Sequence, residues 1–481
     1  MKSLPGEMMK CSPKTGLFLG LLVSLCLGGG CHPNLVPIGT QPVVAGPDQA
    51  LVTLYLETVG TGPANLSLVI GDVEVLQEGV WLPVISGPVE IKLTQDRARQ
   101  TLLGLGALPA GRHEQFRFRL HEVREGRRVL PLAVEQSHVL LNDGTGITLD
   151  EGDSRCLFLQ WQLDDYQDSQ ERFVPRFSLK AQTEPLTSEL LYVLCDDINT
   201  LYLIRSDRNF VIYSLALEGP VSDLRLDKEK QLLYILSRGA RSLLVFDCQR
   251  NRLIDRVALP ATVDPRYLAL STDGAFAFVS DAATDKIVKI DLASGQLVQQ
   301  ASVGYQPGRL LYFDEGSQGR VAVSSPGSQQ VFVLDASSLT VVSSFSTGFH
   351  PEGLLLVDDV LYVCDRGSQT VTAWSLRTRT VQSHIPVGRE PVSLAGDGGD
   401  KIYVANYGEQ VLSVITRGQH MSLRQIPVGK GPYSFAYLAH RNALYVANRG
   451  SRTVMALDVA SERSFATIPL GGEPLFLAVQ D

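Results

Sequence analysis

Five short acidic or amide side chains recur along residues 190–481: Asp196, Asp281, Asp365, Asn406 and Asn448, each at or just past the end of an apolar run. Carboxylates and amides are the residue types that ligate a hard metal ion or move a proton. Their recurrence argues for another role. A reaction centre is built once, whereas such side chains repeat where they bond their own backbone in tight turns. The histidines do not form a shared centre either: His350, His384, His420 and His440 fall at unrelated positions of the series, and His121 and His138 lie outside it. The chain has no Gly-x-Ser-x-Gly elbow, His-Glu-x-x-His pair, phosphate-binding glycine loop or EF-hand spacing, so those hydrolytic, nucleotide and calcium chemistries lack their residues. The expected complement of catalytic residues, metal ligands and cofactors is none.

A second set of residues points to recognition. Tyr305, Phe349, His350, Arg389, Glu390, Lys430 and Glu473 sit inside a recurring turn that ends in proline, and Arg238, Arg241, Arg366, Tyr407, Arg449 and Arg452 sit in a recurring short loop. Arginine and aromatic residues dominate interaction hot spots, and loops on a rigid scaffold commonly carry function. The candidate binding face is Tyr305, Phe349, His350, Arg366, Arg389, Glu390, Tyr407, Lys430, Arg449 and Arg452.

A repeat positions them. A valine-type residue in a strand-like triplet falls at Val193, Ile235, Val279, Val323, Val363, Val404 and Val446, in steps of 42, 44, 44, 40, 41 and 42. The turn proline falls at Pro220, Pro265, Pro307, Pro351, Pro391, Pro432 and Pro474, in steps of 45, 42, 44, 40, 41 and 42. A strand-rich unit of this period is the signature of a β-propeller blade, four antiparallel strands A to D. The first unit opens at Leu190 without a strand A, and the last ends with Pro474–Gln480, a strand A with nothing after it. Pairing the two completes a seventh blade and leaves no long open edge. In a four-stranded antiparallel blade the D-to-A turns and B-to-C loops open on one side, which gathers the second set on one face. The phrases Leu444-Tyr-Val-Ala-Asn-Arg-Gly450 and Ile402-Tyr-Val-Ala-Asn-Tyr-Gly408, with the turns Val387-Gly-Arg-Glu-Pro391 and Val428-Gly-Lys-Gly-Pro432, resemble the YVTN-type β-propeller repeats of bacterial surface and periplasmic proteins. That resemblance implies recognition of a protein, peptide or surface polymer.

The N-terminus has a different texture. Lys10 and Lys14 precede an apolar run of 11 residues, Leu17–Leu27, followed by Gly28-Gly-Gly-Cys31. This is the pattern of a secretory signal and is too short to span a bilayer, which takes about 20 apolar residues. The small residues before Cys31 resemble the bacterial lipobox, although leucine stands four rather than three places before the cysteine. Residues 1–30 are expected to be a lipoprotein signal peptide, Cys31 the lipidated residue and 31–49 a tether. Residues 50–180 show short alternating strands at 51–56, 66–76, 80–84, 89–93, 115–123, 129–134, 156–163 and 173–179, the pattern of a β-sandwich. In Phe116-Arg-Phe-Arg-Leu120 and Leu157-Phe-Leu-Gln-Trp-Gln-Leu163 the alternation predicts one wet and one core face. Val69-Ile-Gly-Asp-Val-Glu-Val75 and Leu102-Leu-Gly-Leu-Gly-Ala-Leu-Pro-Ala-Gly-Arg-His-Glu-Gln-Phe-Arg117 resemble the bacterial domain-of-unknown-function family 4382, which implies a prealbumin-like accessory sandwich on a cell envelope. A polar exposed linker, 181–189, leads to the propeller at 190–481.

Composition bounds the rest. The chain has 481 residues, 44% hydrophobic and 20% charged, with formal net charge −8. Losing the signal, with three lysines against Glu7, lowers this to about −10. A mildly acidic chain without a basic tract argues against nucleic acid as partner. Cys156, Cys195, Cys248 and Cys364 are scattered one to a unit and read as small buried hydrophobes. The expectation is an all-β protein, a β-sandwich followed by a seven-bladed propeller closed by the C-terminal strand. It would be a non-catalytic lipoprotein held to the cell envelope, at the outer membrane, by its lipid anchor. Its propeller would bind an envelope protein, peptide or surface polymer. A lactonase-like propeller hydrolase and an accessory subunit of an envelope redox complex are the alternatives.

Overall fold

The computed structural model describes residue 43 and residues 45–480, apart from 64, 94–99, 134–137, 142–145 and 184–188. The signal segment, Cys31 and most of the tether lie outside the described residues. The described residues form strands joined by tight turns, with two single-turn 3-10 helices at Ala439–Arg441 and Arg449–Ser451 and no α-helix.

The N-terminal part has two main sheets around a shared core. One runs in the order Phe177–Ala181, Ser154–Gln162, Gln49–Val59, Gln100–Pro109. Its two central strands are parallel, with Tyr55 opposite Phe158. The other sheet centres on Leu66–Gln77 and Gln115–Glu125. There the predicted alternation holds: Phe116, Phe118 and Leu120 are buried and belong to the core between the sheets. Trp161 lies in that core, stacked on Phe177 with ring centroids 5.7 Å apart.

Several expectations change here. Of the expected strand 129–134, the described residues contribute Val129, in the two-residue strand Arg128–Val129, and a bridge from Leu132 to Phe173. Gln100–Pro109, not anticipated as a strand, forms a sheet edge. The strand around Leu157 has no wet face over its first half, since Cys156, Leu157, Phe158 and Leu159 are all buried. The cause is a second core on the far side of that sheet. Tyr55, Leu102, Cys156 and Phe158 pack with Leu191, Val193, Tyr202, Ile204 and Val211, and a strand covered on both faces reads as a continuous apolar run.

From Leu190 to Val479 the chain is a series of seven four-stranded antiparallel sheets of propeller type. Six are built from consecutive strands, their first strands being Val221–Asp227, Pro265–Leu270, Leu310–Glu315, Pro351–Val357, Pro391–Gly396 and Pro432–Leu438. The remaining sheet joins both ends, in the order Phe210–Ala216, Thr200–Arg205, Leu190–Cys195, Pro474–Val479. Leu191 pairs with Val479 and Val193 with Leu477. The first strands neighbour one another in sequence order, and Pro474–Val479 neighbours both Pro432–Leu438 and Val221–Asp227. The apolar layers lie between successive sheets: Tyr234, Leu236 and Leu243 of one pack on Leu268, Ala277 and Val279 of the next. Proline at the head of a first strand costs no ladder bond there.

Two glutamines fix the N-terminal sheets to this assembly. The Phe210–Ala216 strand is a sheet edge, where unpaired backbone groups need partners. Gln100 donates to the Val211 carbonyl and accepts from its N–H, both at 2.9 Å. Gln182 accepts from Ser214 N–H at 2.9 Å and Cys156 N–H at 2.7 Å, and donates to the Ser214 carbonyl at 3.0 Å. Gln182 was expected in an exposed linker. It is buried because it satisfies backbone groups on both sides of the junction.

Candidate functional site

The last position of the second strand of each sheet is occupied by Cys195, Ser237, Asp281, Ser325, Asp365, Asn406 and Asn448. Asp196 stands one residue past it, out of register with the series, and its carboxylate pairs with Arg449 at 3.0 Å. The in-register members bond either turn backbone, as Asp281 does, or hydroxyls of the next strand, as Asp365 and Asn406 do. Asp281 accepts from the N–H groups of Val263, Asp264 and Ala283. Asp365 accepts from the hydroxyls of Thr370 and Thr372, and burial pushes its pKa up. Asn406 donates to Ser413 Oγ at 2.9 Å.

The recurring turns and loops meet as expected of one end of the sheets. Backbone hydrogen bonds join them: Arg366 N–H to the His350 carbonyl, Tyr407 N–H to Glu390, and Arg449 N–H to Gly431. Gly367 and Gly408 allow the close approach, since a Cβ at either would meet the backbone oxygen of Phe349 or Arg389 at 3.3 or 3.2 Å. The residue before the turn proline is left-handed at Gly219, Gln306, His350, Glu390 and Gly431. Glycine holds that conformation freely, whereas in an ordinary residue it costs about 1–2 kcal/mol. Gln306, His350 and Glu390 are thus side chains kept at a conformational cost.

The candidate cations are mostly committed internally. Arg366 donates to Glu352 at 3.0 Å and to Glu390 at 2.7 Å, with its guanidinium 5.4 Å from the Tyr407 ring centroid. Burial works against its charge, but the Glu390 and Glu352 carboxylates outweigh that and raise its pKa. Arg449 pairs with Asp196 and Glu473 and lies 5.2 Å from the Tyr433 ring centroid. Arg389 reaches Glu409 at 3.1 Å, and Arg452 reaches Asp197 at 3.8 Å. The Tyr407–Tyr433 edge contact, at 6.1 Å, links the Arg366 and Arg449 groups. Tyr305, Phe349, His350 and Lys430 remain exposed on the turns, Tyr305 and Phe349 at 57% and 59%.

The centre of this cluster was not anticipated. Arg309, 7% exposed, lies 5.3, 5.2 and 4.8 Å from the ring centroids of Tyr267, Tyr433 and Phe476. Asp223 is buried nearby, accepting from Arg225 at 2.6 Å and from Leu268 N–H at 2.8 Å. Sequence carried a usable signal. Two places after the turn proline stand Ser222, Tyr267, Arg309, Gly353, Ser393, Ser434 and Phe476. Serine recurs there in three units, so the large side chains that depart from it, Tyr267, Arg309 and Phe476, are the signal.

A cavity of about 510 Å³ opens here, lined by Asp264, Arg266, Tyr267, Gln306, Arg309 and Glu352 among others. A second, of about 350 Å³, lies toward the other end of the first strands, beside Arg225, Asp227, Ser271 and Tyr312. Among the described residues, no three of His, Cys, Asp and Glu are grouped as a metal site. The four described thiols are free and buried, and burial pushes Cys156 up to about 12 and Cys248 to about 11, which leaves them poor nucleophiles.

No family model matches the chain. It is 26% identical over 152 residues to the protein described as uncharacterized protein YncE in Salmonella typhi and in Salmonella typhimurium LT2, a stretch covering 31% of this chain. The match spans 42% of those relatives. A crystal structure of a functionally unknown protein from Desulfotomaculum acetoxidans DSM 771 superposes with TM-score 0.54 at 11% identity, over 61% of this chain and 99% of that one. These likenesses support the propeller-type fold.

Proposed function

We propose that this chain is a non-catalytic binding protein of the bacterial cell envelope, lipid-anchored through Cys31. In this reading the two N-terminal sheets form a sandwich, and the seven four-stranded sheets close into a seven-bladed ring whose turn-bearing end docks a protein or peptide segment. The cyclic order of the first strands and the pairing of Pro474–Val479 with Leu190–Cys195 support the ring.

One observation carries the binding reading: Tyr305 and Phe349 stand exposed on successive turns at that end. Their backbones are held by hydrogen bonds from Tyr305 N–H to Ser328 and from Phe349 N–H to Ser368. Fixed, exposed aromatics are what recognition anchors look like, because little conformational entropy is lost on binding. The lactonase-like alternative needs a base free to take a proton. The carboxylates lining the larger cavity are occupied, Asp264 by Arg238 and Arg266 and Glu352 by Arg366.

The test is to pan a displayed peptide library on the whole chain and measure the selected peptides against variants. Tyr305→Ala/Phe349→Ala should weaken them at least about tenfold, the loss of one hot spot or more. Phe465→Ala, an exposed aromatic on the outer Arg463–Pro469 strand, should change nothing. Peptides that bind both variants as they bind the parent would place recognition elsewhere.

A further inference from the structure

We propose that Arg309 anchors an anion-binding site in the 510 Å³ cavity, which takes a small organic molecule through a carboxylate or phosphate group. A buried charge needs a counter-charge or hydrogen bonds, since leaving it without either costs several kcal/mol. Every carboxylate near Arg309 is hydrogen-bonded to another arginine: Asp223 to Arg225 at 2.6 Å, Glu352 to Arg366 at 3.0 Å and Asp264 to Arg238 at 2.6 Å. Asp223 and Glu352 favour the Arg309 charge through space, but neither carboxylate hydrogen-bonds its guanidinium.

The rings of Tyr267, Tyr433 and Phe476 give its charge partial compensation as cation–π neighbours. They supply no hydrogen-bond acceptor for the N–H groups in the guanidinium plane. Nε and Nη2 are buried and have no hydrogen-bond partner. Those two nitrogens share one edge of the group, where their N–H bonds run parallel. That edge matches two oxygens of a carboxylate or phosphate, the strongest pairing a guanidinium makes, and a ligand entering the cavity reaches it by displacing the side chains that now cover it. The cavity volume is that of a small-molecule site. Arg266, half-exposed on its wall, is paired with Asp264 there. This site does not depend on the peptide reading, which rests on different side chains.

The experiment is calorimetric titration of the whole chain in low-salt buffer free of phosphate, with succinate, benzoate, inorganic phosphate and phenyl phosphate as separate probes. One-site saturation by at least one probe is expected, and comparing the two carboxylates with the two phosphates identifies the preferred group. Arg309→Met should weaken that probe about 100-fold and Arg309→Lys, which loses the fork, about tenfold. Ala282→Trp, which fills the cavity from its wall and leaves Arg309 intact, should abolish binding. If Arg309→Met fails to fold, Arg309→Lys and Ala282→Trp decide the matter. Absence of binding by all four probes to the parent chain would overturn the proposal. So would binding that survives both the lysine and tryptophan substitutions unchanged.

Discussion

Deleting residues 474–481 should abolish cooperative folding of everything from Leu190 onward. The strand Pro474–Val479 buries Leu475, Phe476, Leu477 and Val479, each less than a tenth exposed. At about 1.5–3 kcal/mol for each large apolar side chain, that is about 6–12 kcal/mol, before the ladder bonds to Leu190–Cys195 are counted. Whole-domain stabilities are about 5–15 kcal/mol, so the loss is comparable to everything available. The deletion also strips one edge of Leu190–Cys195, a strand buried at every position, and exposed apolar edges recruit other chains. The assay is urea unfolding followed by far-ultraviolet circular dichroism and by tryptophan fluorescence, with Trp374 reporting on the propeller-type sheets and Trp161 on the N-terminal core. A graded, low-amplitude transition with aggregation is expected, and a synthetic peptide of residues 470–481 should partly restore the cooperative one. Phe476→Ala alone should cost about 3–5 kcal/mol. A truncated chain that unfolds in one transition at the parent's midpoint, with the parent's slope, would refute closure by this strand.

Two further outcomes follow from other contacts. Gln182→Ala should destabilise by about 1–3 kcal/mol, because it leaves buried backbone groups unpaired, and should speed amide exchange at Ser214 far more than at Val193; equal protection at Ser214 in both proteins would show that the glutamine does not bridge the junction. Asp335 accepts from the hydroxyls of Ser337 and Ser338 and from their N–H groups, which pulls its pKa down to about 2. A carboxyl lowered in the folded state stabilises above its unfolded pKa, about 3.9, and loses that contribution as pH falls toward 2; urea midpoints of Asp335→Asn should therefore fall less steeply than the parent's between pH 4 and 2, and parallel curves would contradict the assignment.

The propeller-type part was legible because its landmarks are dictated by backbone geometry. A proline at or shortly before each inner strand and a valine-type residue in the next recur wherever the same turn and pairing recur. The junction was harder to read. Tyr55, Cys156 and Phe158 sit at alternate places of ordinary-looking strands, and nothing local says that this second face meets Tyr202 and Ile204 far along the chain. Phe158 was the usable hint, an aromatic where a wet face calls for a polar residue. Arg309 escaped for the opposite reason. Aligning units by what they share hides a position whose meaning lies in its departures.

That distinction also changes how the candidate face is to be probed. Reversing Arg366 and Arg449 would set new carboxylates against Glu352, Glu390, Asp196 and Glu473, and like charges at such distances repel by amounts that rival local stability. A partner lost from that double variant would report damage to the scaffold as readily as damage to recognition. The residues suited to test binding are Tyr305 and Phe349, whose rings stand in solvent, and the edge of Arg309 formed by Nε and Nη2, which has no hydrogen-bond partner among the described residues. A propeller-type repeat makes its polar turns conspicuous because it needs them in every unit. Its individual chemistry is carried by the side chains that depart from the repeat without being required to hold it together.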